Sequence, residues 1–271
     1  MRYSNSLSDH NNMMRTNIDF FTLRENARWI SILFLGIAAL KFGGSVVELA
    51  VFWCVDILLV GNVRRISDTK PIPYFVRMTG YFFPYLLPIV LGRYEIQNSD
   101  FIIRILIGCG ISVIAFFVWL FIYRKKIRIM LSNHLALFSE KEPKWKIFIR
   151  IYNVLCAAIS EELFFRGYIL GLPVQAALKV GISILLFPLA HIILPWGDNY
   201  TKKDVYNQFL IGSISVIVYY VGLSVVPCVV LHLLINSIAA IKYYKVYDRY
   251  YKRKDNYEVL LDEVCFFEKE L

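Results

Sequence analysis

The chain has 271 residues, of which 58% are hydrophobic and 19% are charged, and its formal net charge is +9. Soluble domains contain about 45–50% apolar residues, and the excess here lies in long blocks, which predicts an all-α protein with several membrane spans. The basic residues cluster between the blocks, where they fit cytoplasmic loops and anionic lipid headgroups, so nucleic-acid binding is not expected.

The N-terminal half of the chain is predicted to form a polar segment followed by four membrane spans. Residues 1–28 are polar and predict a cytoplasmic segment, with no pattern of a cleaved signal peptide. Residues 29–123 hold four apolar runs, and Pro84 and Pro88 are expected to kink the third. The four predicted spans are 29–42, 45–60, 74–92 and 101–123.

The C-terminal half is predicted to be a four-helix transmembrane core. It follows a basic cytoplasmic connection, residues 124–146, and ends in a cytoplasmic tail, residues 246–271. Eight spans in total place both termini on one side of the cell membrane. The basic residues concentrate on that side, so the positive-inside rule predicts that both termini are cytoplasmic. The core, residues 147–245, comprises the runs 147–170, 180–196, 205–226 and 228–245.

Three charged residues interrupt the first run of this core. A charged side chain at the bilayer centre costs about 2.5–3.5 kcal/mol on insertion scales. A chain that keeps three of them close together is expected to use them, so a functional role is predicted for Glu161, Glu162 and Arg166. In an α-helix Arg166 lies on the same face as Glu162, four residues earlier, at ion-pair distance. Glu161 is turned about 100° away from Glu162 and is left to meet a group from another helix.

The next polar residues lie in two later spans of the core. His191 is four residues after Phe187, and Asn236 is four residues after His232, so each pair shares a helical face. Membrane helices rarely turn such groups toward lipid, and we expect both histidines to point into the bundle. The sequence therefore predicts that groups from three spans converge.

Such a set can hydrolyse an amide. A carboxylate with a histidine can bind and deprotonate a water, and a histidine with an amide can donate hydrogen bonds to an oxyanion. The alternative is that Glu161, His191 and His232 hold a divalent metal such as zinc, whose bound water attacks. Asn236 is a poor zinc ligand and a good oxyanion donor, which favours the version without a metal.

The three motifs, Glu-Glu-x-x-x-Arg, Phe-x-x-x-His and His-x-x-x-Asn in this order, resemble the CPBP (Abi) intramembrane proteases, which include type II CAAX prenyl proteases and bacteriocin-processing or self-immunity proteins. The resemblance covers residues 147–240. It implies that Glu161 and His191 activate the water and that His232 and Asn236 stabilise the oxyanion. It further implies that Glu162 with Arg166 braces the site, and that Phe187 packs beside it.

This pattern of residues is compatible with three functions. The first is an intramembrane endopeptidase acting on a membrane-proximal peptide within the lipid bilayer, such as a leader peptide, a pheromone or bacteriocin precursor, or a prenylated CAAX-like C terminus. The second is a non-catalytic membrane protein that confers bacteriocin self-immunity or regulates a sensor by binding. The third is a transporter with a proton relay, but transporters usually show repeat symmetry and these two halves do not. A scaffold would not need both Glu161 and His232, so the sequence favours the protease.

Overall fold

The structure, a computed structural model, describes residues 25–93, 102–132, 139–193 and 202–252. All regular secondary structure in these ranges is helical, which confirms the predicted all-α class. The predicted N-terminal segment before residue 25 and the predicted tail after residue 252 lie outside the described residues.

The described residues form longer helices and several short helical segments. The longer helices are α1 (residues 25–42), α2 (Gly44–Val63), α3 (Pro71–Thr79), α4 (Ile102–Ile122), α5 (Lys144–Glu162), α6 (Ala176–Ile193), α7 (Lys202–Gly222) and α8 (Val226–Tyr247). The short segments are the 3₁₀ turn Phe83–Leu86, the α-helical turns Leu87–Val90, Arg124–Met130 and Ile169–Gly171, and the π-helical turns Leu163–Tyr168 and Asp248–Lys252.

Five helices of the described residues are long and apolar enough to cross a membrane. A span needs about 20 residues at a rise of 1.5 Å per residue. The five correspond to five of the eight predicted spans, and the count of eight is not confirmed. They are Gly44–Val63, Ile102–Ile122, Ala176–Ile193, Lys203–Gly222 and Val226–Lys252.

The third predicted span differs from the single kinked helix that the sequence suggested. Helix α3 begins with prolines in its first turn, where a missing N–H costs nothing, and ends at Thr79. Pro84 then lies in a 3₁₀ turn and Pro88 in a four-residue helix. Each proline removes a backbone donor and clashes with the preceding turn, so two of them four residues apart break the helix into short pieces.

The described residues group into two compact units. The first takes residues 25–62, 84–93, 164–193 and 202–217, and the second takes residues 63–83, 102–132, 139–163 and 218–252.

An aromatic cluster forms the core of the first unit. The Phe165 ring lies edge-on to Phe187, with centroids 5.2 Å apart, and also contacts Trp53 and Tyr85. The Trp53 indole N–H donates a 2.9 Å hydrogen bond to Ser31 Oγ, whose own hydroxyl donates to a carbonyl in α1. This bond links α1 to α2 inside the apolar core.

Helix α8 is the centre of the second unit and packs against both α4 and α5. The small residues Ala157 and Ala158 of α5 are buried, which allows a close approach of helix backbones. At the other end of α5, Arg150 donates to the Tyr74 hydroxyl of α3 and pairs with Glu142 at 2.7 Å. These contacts fix the start of α5 and therefore the position of its C-terminal acids.

Ser31→Ala is expected to lower the free energy of unfolding by about 1 kcal/mol, because it leaves the buried Trp53 N–H without its acceptor. Thermal unfolding of the purified protein in detergent would measure the change. Ser213→Ala is the control, since the hydroxyl of the half-buried Ser213 bonds to the carbonyl four residues earlier in its own helix. Equal stability of the two variants would contradict the role of the Ser31–Trp53 bond.

Candidate functional site

The two predicted acids lie at the C-terminal end of α5. Both Glu161 and Glu162 are buried, and the chain then enters the π-helical turn Leu163–Tyr168. A π-turn carries an additional residue per turn and often occurs at functional sites. The α-helical spacing from which Glu162 and Arg166 were placed on one face therefore does not hold through this segment.

In the second unit, the imidazole of His232 contacts both glutamates. Its Nδ1 lies 2.9 Å from Glu162 Oε1, and its Nε2 lies 3.8 Å from Glu161 Oε2. An ionised carboxylate is only an acceptor, so Nδ1 carries the hydrogen in the bond to Glu162. Because the two partners are 70 residues apart and on different helices, their spacing in the sequence gives no signal of this contact.

The electrostatics of this group follow from its burial. The side chains of Glu161, Glu162 and His232 are almost inaccessible to solvent, with relative exposures of at most 6%. Carboxylates removed from water are costly unless they are paired and hydrogen-bonded. The Nδ1–H of His232 donates to Glu162, and this bond offsets part of the cost of burying that acid.

Asn236, one turn beyond His232, holds α8 against α5. Its Nδ2 donates a 3.0 Å hydrogen bond to the backbone carbonyl of Val154. The side-chain NH₂ has two hydrogens, and this bond uses one of them. The second unit thus brings together four of the predicted residues, namely Glu161, Glu162, His232 and Asn236.

The other three predicted residues lie in the first unit, where Arg166 stacks on Phe187. The guanidinium carbon of Arg166 is 4.3 Å from the centroid of the Phe187 ring, a cation–π geometry. Its Nη2 donates to the carbonyl of Gly212 at 3.0 Å. A Cβ on Gly212 would lie 3.1 Å from Phe187 Cδ1, so the absence of a side chain makes room for this ring.

His191 is fixed by its own helix. Its Nδ1 lies 2.9 Å from the carbonyl oxygen of Phe187, and the two rings are 4.8 Å apart, which confirms the shared face predicted from their spacing. A carbonyl only accepts, so Nδ1 carries the hydrogen. In the neutral ring Nε2 is then the acceptor. Sequence reasoning missed Gly212 and the Val154 carbonyl, because neither a glycine nor a backbone oxygen carries a motif.

The donor set of the described residues does not complete a metal site. Across the parts of the chain that the structure describes, no three His, Cys, Asp or Glu side chains are grouped so as to hold a metal ion. In the second unit Glu161 Oε2 and His232 Nε2 offer two ligand atoms, and catalytic zinc takes three from the protein. The ligand set Glu161, His191 and His232 stays a prediction.

One family model matches part of the chain. Residues 143–238 match the family described as type II CAAX prenyl endopeptidase Rce1-like. This stretch is similar to that family, and we refer to it as the Rce1-like domain. The match confirms the family resemblance predicted from the motifs, and all seven predicted site residues lie inside it. No curated protein and no solved structure matches the chain.

The Rce1-like domain begins just before α5 and ends within α8, so α1–α4 lie outside it. The family is one of endopeptidases, and the match therefore supports a peptidase over the non-catalytic alternative. Together with the five apolar helices, it identifies the protein as an integral membrane protein.

Glu162→Ala is expected to lower the free energy of unfolding by about 1–3 kcal/mol, because the buried His232 N–H loses its acceptor. Glu162→Gln keeps an oxygen acceptor at the same length and should lose less. Folded yield and thermal unfolding in detergent would measure both variants. The exposed Glu140, changed to Ala, is the control. A Glu162→Ala protein as stable as the wild type would show that this bond does not support the fold.

Proposed function

We propose that the protein is an intramembrane endopeptidase that uses water to cleave a peptide bond in a membrane-proximal substrate. The observation that supports this function best is the buried His232 between Glu161 and Glu162, inside an Rce1-like domain. The name of the family favours a prenylated, CAAX-like C terminus over a leader peptide or a bacteriocin precursor as substrate. Such a lipidated peptide reaches the enzyme from the bilayer and shares it with membrane lipids.

Glu161 is the proposed general base. Its carboxylate binds the attacking water and takes one proton as the water oxygen adds to the scissile carbonyl carbon. His191 is the proposed partner in holding the water, a role that the motif resemblance implies. The hydrogen bond of its Nδ1 to Phe187 supports this role, because it leaves Nε2 as the acceptor in the neutral ring.

His232 and Asn236 are the proposed oxyanion donors. Donation from His232 Nε2 requires the doubly protonated ring, and a carboxylate on Nδ1 stabilises that form, as the aspartate of a serine-protease triad does. Asn236 would donate its second amide hydrogen, since the first bonds Val154. When the tetrahedral intermediate collapses, Glu161 returns the proton to the leaving amine, which yields a carboxylate and a free amino terminus.

Glu162, Arg166 and Phe187 support the site without touching the substrate. Glu162 orients His232 through the bond to Nδ1, and Arg166 lies against the Phe187 ring whose backbone carbonyl binds His191. The protein is further proposed to lie in the cell membrane with both termini in the cytoplasm, because basic residues follow the positive-inside pattern.

Glu161→Gln and His191→Ala are expected to reduce cleavage by about 100-fold or more, the lower range of general acid–base catalysis. The assay would follow a fluorescent, farnesylated peptide ending in Cys-aliphatic-aliphatic-X, with the unprenylated peptide as a second substrate. Glu140→Gln, an exposed acid, is the matched control. Wild-type rates in either site variant would remove that residue from water activation, and binding of the peptide without cleavage by the wild type would favour the non-catalytic alternative.

Cleavage is expected to survive incubation of the purified protein with a metal chelator, because the proposed chemistry uses the side chains alone. Elemental analysis of the same preparation should find no stoichiometric metal. Loss of activity on chelation, with recovery on addition of zinc, would replace this mechanism by the metal-dependent one.

A further inference from the structure

The first turn of α8 sits on α4, a helix outside the Rce1-like domain. At Gly108 of α4, a Cβ would lie 2.7 Å from Pro227 Cγ and 3.2 Å from the Cα of Gly222. A carbon–carbon separation of 2.7 Å is shorter than real side chains allow. The two helices are therefore in contact at this point only because residue 108 has no side chain.

A hydrogen bond fixes the same contact one turn further along α4. The buried Ser112 Oγ lies 2.8 Å from the carbonyl oxygen of Pro227 and 2.9 Å from that of Gly108. The hydroxyl can donate its single hydrogen to either oxygen. Through the first of these bonds it ties α4 to the first turn of α8, and bonds of this kind hold helices together where water is absent.

The turn that enters α8 leaves little freedom at Pro227. Leu223 has φ 47°, in the left-handed region that non-glycine residues rarely adopt. A Cβ on Gly222 would lie 2.8 Å from Pro227 Cγ. Pro227 is thus packed between α4 and the end of α7, and its ring cannot move without a backbone change.

We infer that Gly108 and Ser112 are positioning residues for His232. His232 follows Pro227 by five residues in one uninterrupted helix, about 7.5 Å along its axis, so a displacement of Pro227 is transmitted to the imidazole. Ordinary contacts begin at 3.4 Å, so a methyl group at residue 108 would separate the helices by about 0.7 Å. A shift of that size would change the distance and the angle of the 2.9 Å bond between His232 and Glu162.

The test compares Gly108→Ala with Gly110→Ala. Both residues lie in α4 and both substitutions raise helix propensity equally, but a Cβ at Gly110 would meet nothing within 4 Å. With the farnesylated peptide, Gly108→Ala is expected to lower kcat by about 10–100-fold with little change in KM, because sub-ångström misplacement affects the reacting geometry more than binding. Gly110→Ala should match the wild type, and Ser112→Ala should lose less than Gly108→Ala.

A second measurement needs no substrate. Amide hydrogen exchange of peptides covering residues 226–236, in detergent, should accelerate in Gly108→Ala and stay unchanged in Gly110→Ala. Pro227→Ala removes Cγ, the atom that a Cβ at residue 108 would approach most closely, and keeps Cβ at 3.0 Å. Gly108→Ala/Pro227→Ala should therefore regain part of the slow exchange and part of the kcat of Pro227→Ala alone. Rescue of this kind distinguishes positioning from a general loss of stability.

The activity measurement rests on the proposed function, whereas the exchange measurement does not. Equal exchange rates and equal kcat in Gly108→Ala and Gly110→Ala would overturn the inference. It would also be overturned if adding Pro227→Ala to Gly108→Ala restored neither slow exchange nor kcat. If Gly108→Ala fails to accumulate, accumulation of the double variant supports the inference and its failure contradicts it. If the wild type cleaves neither peptide but hydrogen exchange accelerates in Gly108→Ala as expected, the protease proposal is contradicted and the positioning role of Gly108 is still supported.

Discussion

The hydrogen bond between His232 and Glu162 is the constraint on which the second unit depends. An acid in an apolar helix pair is costly unless a partner meets it, so α5 and α8 must keep the register in which this imidazole lies between the two glutamates. That register needs close backbones, and the buried Ala157 and Ala158 allow them. The bond from Asn236 to the Val154 carbonyl holds the same helices together nearer the start of α5.

The first unit also buries a charged side chain, that of Arg166, and stabilises it with different groups. A guanidinium stays charged in proteins, so Arg166 has to be satisfied wherever it is buried. The structure offers it a carbonyl, that of Gly212, and the face of an aromatic ring, that of Phe187. Because the carbonyl of Phe187 also binds His191, one residue sets the surroundings of both the cation and the imidazole.

The sequence predicted the features that depend on local helix geometry. The four-residue spacing of Phe187 and His191 survives as a contact because α6 is α-helical there. The shared face of Glu162 and Arg166 was predicted for an α-helix, but the chain forms a π-helical turn between them. The residue types in this segment do not predict such a turn. Contacts between distant helices, such as those of His232 with the two acids, depend on packing, and no spacing within one helix encodes them.

The proposed catalytic residues and the contacts that place α8 come from different parts of the chain. Lipid tails are as apolar as the helix surfaces, so no hydrophobic force selects one helix position over another, and close packing and hydrogen bonds must do so. On one side of α8 these contacts come from α5, which carries the acids. On the other side they come from Gly108 and Ser112 of α4, which carry no motif. The motifs therefore name the proposed reacting groups, and the proposed role of α4, outside the motifs, is to hold His232 where it can act.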